Sequence, residues 1–263
     1  MSSRGSQEPD AVTRLVLEYD GAGFAGWARQ TGYRTVQAEV ERALVVLGRR
    51  DAVSLAVAGR TDAGVHAWGQ VASYTGAPVR VQALNAVLPD DIAVLDCALA
   101  DSGFDARHDA TSRAYCYRLL TRPARSAHER SRALHWPHRV DRALLDECAA
   151  SLLGTHDFTA FTPSETNHVR FSRDVLAAFW RPARGDVLEF WIEADSFMRH
   201  MNRVLIGTML EVAGGKRPLH GFGALLQGRS RREAGPTAPP QALYLAGVGY
   251  GGERVLHHRL DAA

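Results

Sequence analysis

Two strand-like apolar runs, Leu55–Ala58 and Gln70–Tyr74, flank a turn that begins Gly59-Arg60-Thr61-Asp62 and carries a second glycine at Gly64. This pattern restricts the fold of the chain more than any other. A buried strand has to stop at Ala58, and the chain has to turn back with one carboxylate, Asp62, at the strand end beside the cation Arg60. Taken alone, a Gly-x-x-Asp turn is commonly structural, its aspartate satisfying nearby backbone amides. Loops held by a rigid strand are also where reactive groups concentrate. An ionised carboxylate in such a loop can serve as a covalent nucleophile or as a base.

Sheet and helix signals alternate along the rest of the chain. Arg14–Tyr19 alternates polar and apolar residues and reads as a strand, followed by a Gly-rich turn over 20–26. Thr35 is placed as the N-cap of a helix over 36–47 whose apolar face is Val36, Val40, Ala43, Leu44 and Leu47. A short helix over 81–87 and a strand over 92–99 follow. A second cycle starts near Phe104, with a strand over 115–120 and an amphipathic helix over 142–153 closed by Gly154. Residues 175–180 and 187–193 read as a hairpin across Arg184-Gly185-Asp186. A buried helix over 198–212 ends at Gly214 and Gly215; a short helix over 222–227 and a closing strand over 243–250 complete the reading. The predicted class is α+β, a largely antiparallel sheet flanked by helices. Residues 1–10 read as a disordered tail without the apolar core of a signal peptide, 11–103 as an N-terminal half, 104–250 as a C-terminal half, and 251–263 as a C-terminal tail without an assigned role.

At 263 residues and 46% apolar content the chain can bury a sizeable core. No run approaches the ~18 apolar residues of a membrane span, so no membrane association is expected. Cys97, Cys116 and Cys148 are odd in number and form no C-x-x-C, which fits buried, reduced thiols in the cytoplasm. Net charge is only +2, but Lys216 is the only lysine, and Arg113, Arg118, Arg122, Arg125, Arg130 and Arg132 crowd the interval from Arg107 to Arg139. Only Asp109 and Glu129 oppose them there. Such a patch can attract a phosphate backbone, or it can be a solvated face.

Gly21-Ala22-Gly23-Phe24-Ala25-Gly26 matches G-x-G-x-x-G after a strand, the one feature that suggests a nicotinamide-dependent oxidoreductase. A dinucleotide site needs its helix to begin at the glycines, and here the helix starts only near Thr35. His156 and Asp157 lack a third ligand at suitable spacing, so they read as structural and no metal is expected. Tyr115 and Tyr117 alternate on one strand and share a face; core packing accounts for one of them. Arg203 opens an apolar helix and needs a carboxylate partner if that helix packs inward.

These segments together resemble the TruA family of tRNA pseudouridine synthases. Ala58-Gly59-Arg60-Thr61-Asp62-Ala63-Gly64-Val65-His66-Ala67 is similar to its active-site loop, whose aspartate is catalytic. Asp20-Gly21, Gly26-Trp27, Arg29 and Gln30 follow its early pattern, and Phe104-Asp105-Ala106-Arg107 with Arg113, Tyr115 and Tyr117 follows its tyrosine segment. Phe197-Met198-Arg199-His200-Met201-Asn202-Arg203 departs from the family pattern only in Asn202, where valine is usual, and Gly235–Pro240 followed by Leu243-Tyr244-Leu245 resembles its C-terminal signature. The resemblance runs from Val16 to Tyr250 and implies a pseudouridine synthase fold of two similar halves around a central cleft. It also implies a homodimer that isomerises tRNA uridines 38, 39 and 40 in the anticodon stem-loop without cofactor. On that basis Asp62, Tyr115 and Arg203 would be catalytic, and Arg60, His66, Arg107 and Arg113 would bind substrate. Asp62 would either attack the ribose or abstract a sugar proton. A non-catalytic tRNA-binding protein on the same scaffold is the alternative.

Overall fold

Strand β1 (Val12–Tyr19) shows the alternation its sequence announces: Thr13, Leu15, Leu17 and Tyr19 are buried and the residues between them are not. The computed structural model describes residues 11–49, 51–166 and 169–257, so the expected N-terminal tail lies outside the described residues. The chain divides between Ala110 and Thr111 into two compact units.

In the first unit helix α1 (Val36–Gly48) and a two-residue strand β2 (Ala56–Val57) follow β1. Strand β3 (His66–Thr75), helix α2 (Val81–Val87) and strand β4 (Ile92–Ala100) complete it. β1 lies between β3 and β4, antiparallel to both, and β2 pairs with β3. Strand β3 is longer than expected, because its ladder with β1 continues back to Ala67, opposite Tyr19. Thr35 occupies the N-cap of α1 with extended backbone angles but makes no capping bond, and its hydroxyl is buried without a partner. The first helical amides are satisfied otherwise: Val36 donates to the Gly26 carbonyl and Gln37 to that of Trp27. Val36, Val40, Ala43 and Leu44 are buried as expected; Leu47 is only half-buried, and Glu41 is buried instead.

The second unit begins with strand β5 (Ala110–Leu120), a short β6 (Leu134–His135), helix α3 (Arg142–Ala150) and strand β7 (Gly154–Asp157). Strands β8 (Ser172–Ala183) and β9 (Val187–Ala194), helices α4 (Met201–Ala213) and α5 (Leu219–Leu225), and strand β10 (Leu243–Tyr250) follow. The strand order is β10-β5-β9-β8-β7; the β5–β9, β9–β8 and β8–β7 pairs are antiparallel, and β6 joins β5 in parallel. The β8–β9 turn has positive φ at Gly185 and Asp186, the backbone that suits a tight hairpin.

Two helix ends differ from their sequence reading. α3 stops at Ala150, because Leu152 and Leu153 donate to Ala149 and Ala150 in tightened turns, and Gly154 opens β7 instead of closing the helix. α4 begins at Met201, because His200 adopts φ 62°, a left-handed conformation that a helix cannot include.

Strand β9 is buried along all eight residues, so both its faces are covered and its two glutamates need internal partners. Glu189 accepts hydrogen bonds from Trp191 Nε1 (3.0 Å) and Arg181 Nε (3.3 Å). Glu193 accepts from Ser112 Oγ (2.6 Å) and from the Val255 (2.9 Å) and Leu256 (3.0 Å) amides. The segment beyond β10 is thereby fastened to the sheet, with Leu256 fully buried. Gly249 permits the approach, since a Cβ there would stand 2.2 Å from the Glu253 carbonyl oxygen.

Candidate active site

The Asp62 turn is assembled within the first unit from residues far apart in sequence. Ala58 donates to Val71 and anchors the entry to the turn, and Val65 donates to the Asp62 carbonyl, closing it. Gly64, at φ 78°, supplies the left-handed residue the turn requires. From outside, Gln70 Nε2 donates to the Gly59 carbonyl (2.7 Å), and the Tyr19 hydroxyl bonds Thr61 Oγ1 (2.7 Å). Burial pushes the Tyr19 phenol from its ordinary 10.0 up to about 12, so it stays neutral.

The glycine-rich segment is the other wall of this turn. Trp27 donates to the Thr61 carbonyl (3.0 Å) and Gly64 to that of Phe24 (3.4 Å). A Cβ on Gly26 would lie 2.8 Å from Thr61 O and 3.2 Å from the Asp62 carbonyl carbon; one on Gly21 would lie 2.0 Å from Val65 O. These glycines let two backbones touch. Gly21–Gly23 form a single 3-10 turn capped by Asp20, and no α-helix opens at the glycines; α1 begins at Val36, with its first amides bonded to the Gly26 and Trp27 carbonyls.

Asp62 itself is half-buried, and Arg60 is exposed. The Arg60–Asp62 pairing suggested by their spacing is absent: Arg60 makes no ion pair or side-chain hydrogen bond among the described residues. His66 is 3% exposed and accepts the Gly21 amide on Nδ1 (3.0 Å). Asp20 Oδ1 lies 3.1 Å from the same nitrogen, so the His66 ring is set between the Gly21 amide and a carboxylate. Arg107 is exposed at the end of an Asp105-centred turn, in which Asp105 accepts its backbone amide.

Within the second unit, β5 carries both tyrosines on one face, and they divide in role. Tyr117 is 1% exposed and donates to the Pro239 carbonyl (3.1 Å), and burial raises its pKa. Tyr115, also buried at 8% exposure, packs edge-on against Phe197, centroids 5.0 Å apart. Arg113 is 9% exposed and donates to the Asp195 carbonyl (3.0 Å). Arg203 is half-buried; its Nε donates to the Ala238 carbonyl (2.7 Å), and its own carbonyl accepts the Ala238 amide. The Gly235–Pro240 loop is thus a brace for the Arg203 end of α4. Gly207 makes this possible, as a Cβ there would overlap the Pro236 oxygen at 1.9 Å.

The arginine run separates into two sets. Arg118 is drawn in by a two-pronged bond to Glu129 (2.6 and 3.1 Å), while Arg125, Arg130, Arg132 and Arg139 stay exposed. His156 and Asp157 bond locally to Leu153 and Thr159, and no cluster of metal-ligating residues occurs among the described residues. Sequence reasoning missed the supports: Tyr19, Gln70 and Glu41, the last accepting from Arg29, from Gln37 Nε2 and from the Leu55 amide. Neither Gln70 nor Glu41 was set apart by the sequence, since Glu41 lies off the apolar face of α1 and Gln70 opens an apolar run.

Comparison with known proteins identifies the family. A family model described as tRNA pseudouridine synthase matches residues 148–251. The chain is similar to the tRNA pseudouridine synthase A of Methylococcus capsulatus, with 42% identity over 90% of this chain and 88% of that one. It is 41% identical to that of Chromobacterium violaceum (95% and 97% covered) and 38% identical to that of Bacillus pumilus (90% and 98% covered). Relatives matched at this identity over nearly their whole length show that the chain belongs to the tRNA pseudouridine synthase A family.

Proposed function

We propose that this chain isomerises uridine to pseudouridine at positions 38, 39 and 40 in the anticodon stem-loop of tRNAs, with Asp62 initiating the reaction. The observation that carries the reading is the Asp62 turn: a backbone held from both sides with a carboxylate that is only half-buried. Such clamping fixes a reactive group before substrate arrives.

The reaction needs the C1′–N1 bond broken, the uracil turned, C5 joined to C1′, and the C5 proton lost as N1 gains one. No atom is added overall, so no cofactor is needed. Asp62 acts on the ribose, by attack or by proton abstraction, and either route expels the uracil as its anion. Family resemblance supports Tyr115 for stacking on the extruded base and Arg203 as the counter-charge of the catalytic carboxylate. The exposed, unpaired Arg60 suits insertion into the space the flipped nucleotide leaves. Arg107 is exposed enough to meet phosphate. Arg113 and His66 are held inside, which suits them to shaping the substrate surface from beneath. The enzyme acts as a cytoplasmic homodimer. Among the described residues no helix is long and apolar enough to cross a membrane.

The test is tritium release from tRNA labelled at uridine C5. Wild type is expected to release tritium; Asp62→Ala is expected to bind tRNA and release none. Binding without release by wild type would favour a tRNA-binding protein, and equal release by both would dismiss Asp62.

A further inference from the structure

The loop from Ala25 to Arg34 is a rigid projection from the base of the Asp62 turn. It is closed by the Ala25 amide on the Arg34 carbonyl (2.9 Å), and the Tyr33 amide on Gln30 (3.2 Å) shapes its tip. Gly32 gives the bend with φ 81° and has no atom within 4 Å of where a Cβ would stand. Inside this loop nearly every polar side chain is already engaged. Arg29 pairs with the buried Glu41. Gln30 Nε2 donates to the Ala25 carbonyl (2.9 Å). Arg34 makes a two-pronged bond to Asp91 (2.7 and 2.7 Å) and lies over the Phe24 ring, 4.1 Å from its centre.

Tyr33 is the loop's exposed aromatic residue without such a partner, whereas Trp27 is fully buried. Tyr33 is 66% exposed, and among the described residues its hydroxyl makes no hydrogen bond and its ring stacks on no other ring or cation. The Asp62 turn is close in connectivity: Arg34, next to Tyr33, accepts the Ala25 amide, and the neighbouring Gly26 faces the Thr61 and Asp62 backbone. Tyr33 takes no part in the contacts that clamp the Asp62 turn, so its ring is available to an unpaired base beside the reacting uridine.

Resting on the reading above, we infer that Tyr33 is a substrate-binding residue that stacks on an unpaired tRNA base flanking the target uridine. The loop's two arginines are spent on Glu41, Asp91 and Glu39, so its contribution is aromatic stacking and not charge neutralisation. A flat ring on a preordered loop loses little freedom on binding.

The experiment compares wild type with Tyr33→Ala, Tyr33→Leu and Tyr33→Phe, using unmodified tRNA. Filter binding across a salt series gives Kd and its salt slope; tritium release gives KM and kcat. Ala and Leu are expected to raise Kd and KM by about 5-fold to about 150-fold, with kcat, salt slope and melting temperature unchanged. Phe is expected to restore wild-type values. Wild-type affinity in Tyr33→Ala, failure of Phe to rescue, or a lowered melting temperature would overturn the assignment. Wild type that binds tRNA and releases no tritium would overturn the isomerase reading instead, and the Kd comparison would still decide the role of Tyr33.

Discussion

At the scale of single residues, the Asp62 turn depends on side chains that do no chemistry. Tyr19 is buried with its hydroxyl on Thr61, and its pKa is raised from 10.0 to about 12. A folded-state pKa above the unfolded one means the unfolded chain loses its proton first. Stability from Tyr19 is therefore complete below about pH 10 and falls as pH rises from about 10 to about 12, by about 1.4 kcal/mol per unit within that window. Tyr244, also raised to about 12 by burial, adds to the fall. Urea midpoints of wild type and Tyr19→Phe measured from pH 8 to pH 12 check this, and the mutant should show the shallower alkaline loss. Gly26→Ala should cost about 1–3 kcal/mol, since the residue sits at φ 98° with Thr61 and Asp62 backbone in the way. It should also depress kcat more than tRNA affinity, because it displaces the turn that carries Asp62. Unchanged kcat with lowered stability would separate the turn's packing from the chemistry.

At the scale of elements, the segment after β10 is a working part of the second unit. Glu193 presents its two oxygens to one hydroxyl and two amides, joining β9 to Ser112 on β5 and to Val255 and Leu256. Glu193→Ala leaves these three buried or half-buried donors without an acceptor, at ~1–3 kcal/mol each where water cannot replace it. We expect a loss of about 3 kcal/mol in urea unfolding, and a smaller one for Glu193→Gln, which keeps one accepting oxygen. Hydrogen exchange should show the Val255 and Leu256 amides as the first to lose protection; if they exchange at the wild-type rate, the fastening is not theirs. The sequence reading does not reveal this, because it gives 187–193 only as one arm of a hairpin, while the structure covers both faces of β9.

At the scale of the whole molecule, charge is distributed more unevenly than a net +2 conveys. Arg118 is neutralised by Glu129, whereas Arg125, Arg130, Arg132 and Arg139 face solvent. Replacing one exposed arginine that meets phosphate should lower the slope of log Kd against log salt by about 0.7–0.9 and leave the melting temperature unchanged. Arg118→Ala should do the reverse, destabilising the fold and leaving the slope intact. A titration of each variant between low and physiological salt distinguishes the two sets.

The sequence by itself determined the elements and their class. Periods of 2 and 3.6 mark β1 and α1 closely, because each reflects one buried face repeated over a few neighbours, and α2 and β10 match their expected bounds. The family and its motif residues were legible for the same reason, being contiguous in the chain. Tertiary structure decided what those residues are for. Gly21 meets His66 across 45 positions, and Ser112 meets Glu193 across 81. The close approach of two backbones and the pairing of one arginine but not its neighbour depend on which distant segment arrives beside them, and no local pattern carries that information. For this reason the early glycines resemble a phosphate cradle in sequence and prove to be the wall against which Asp62 is held.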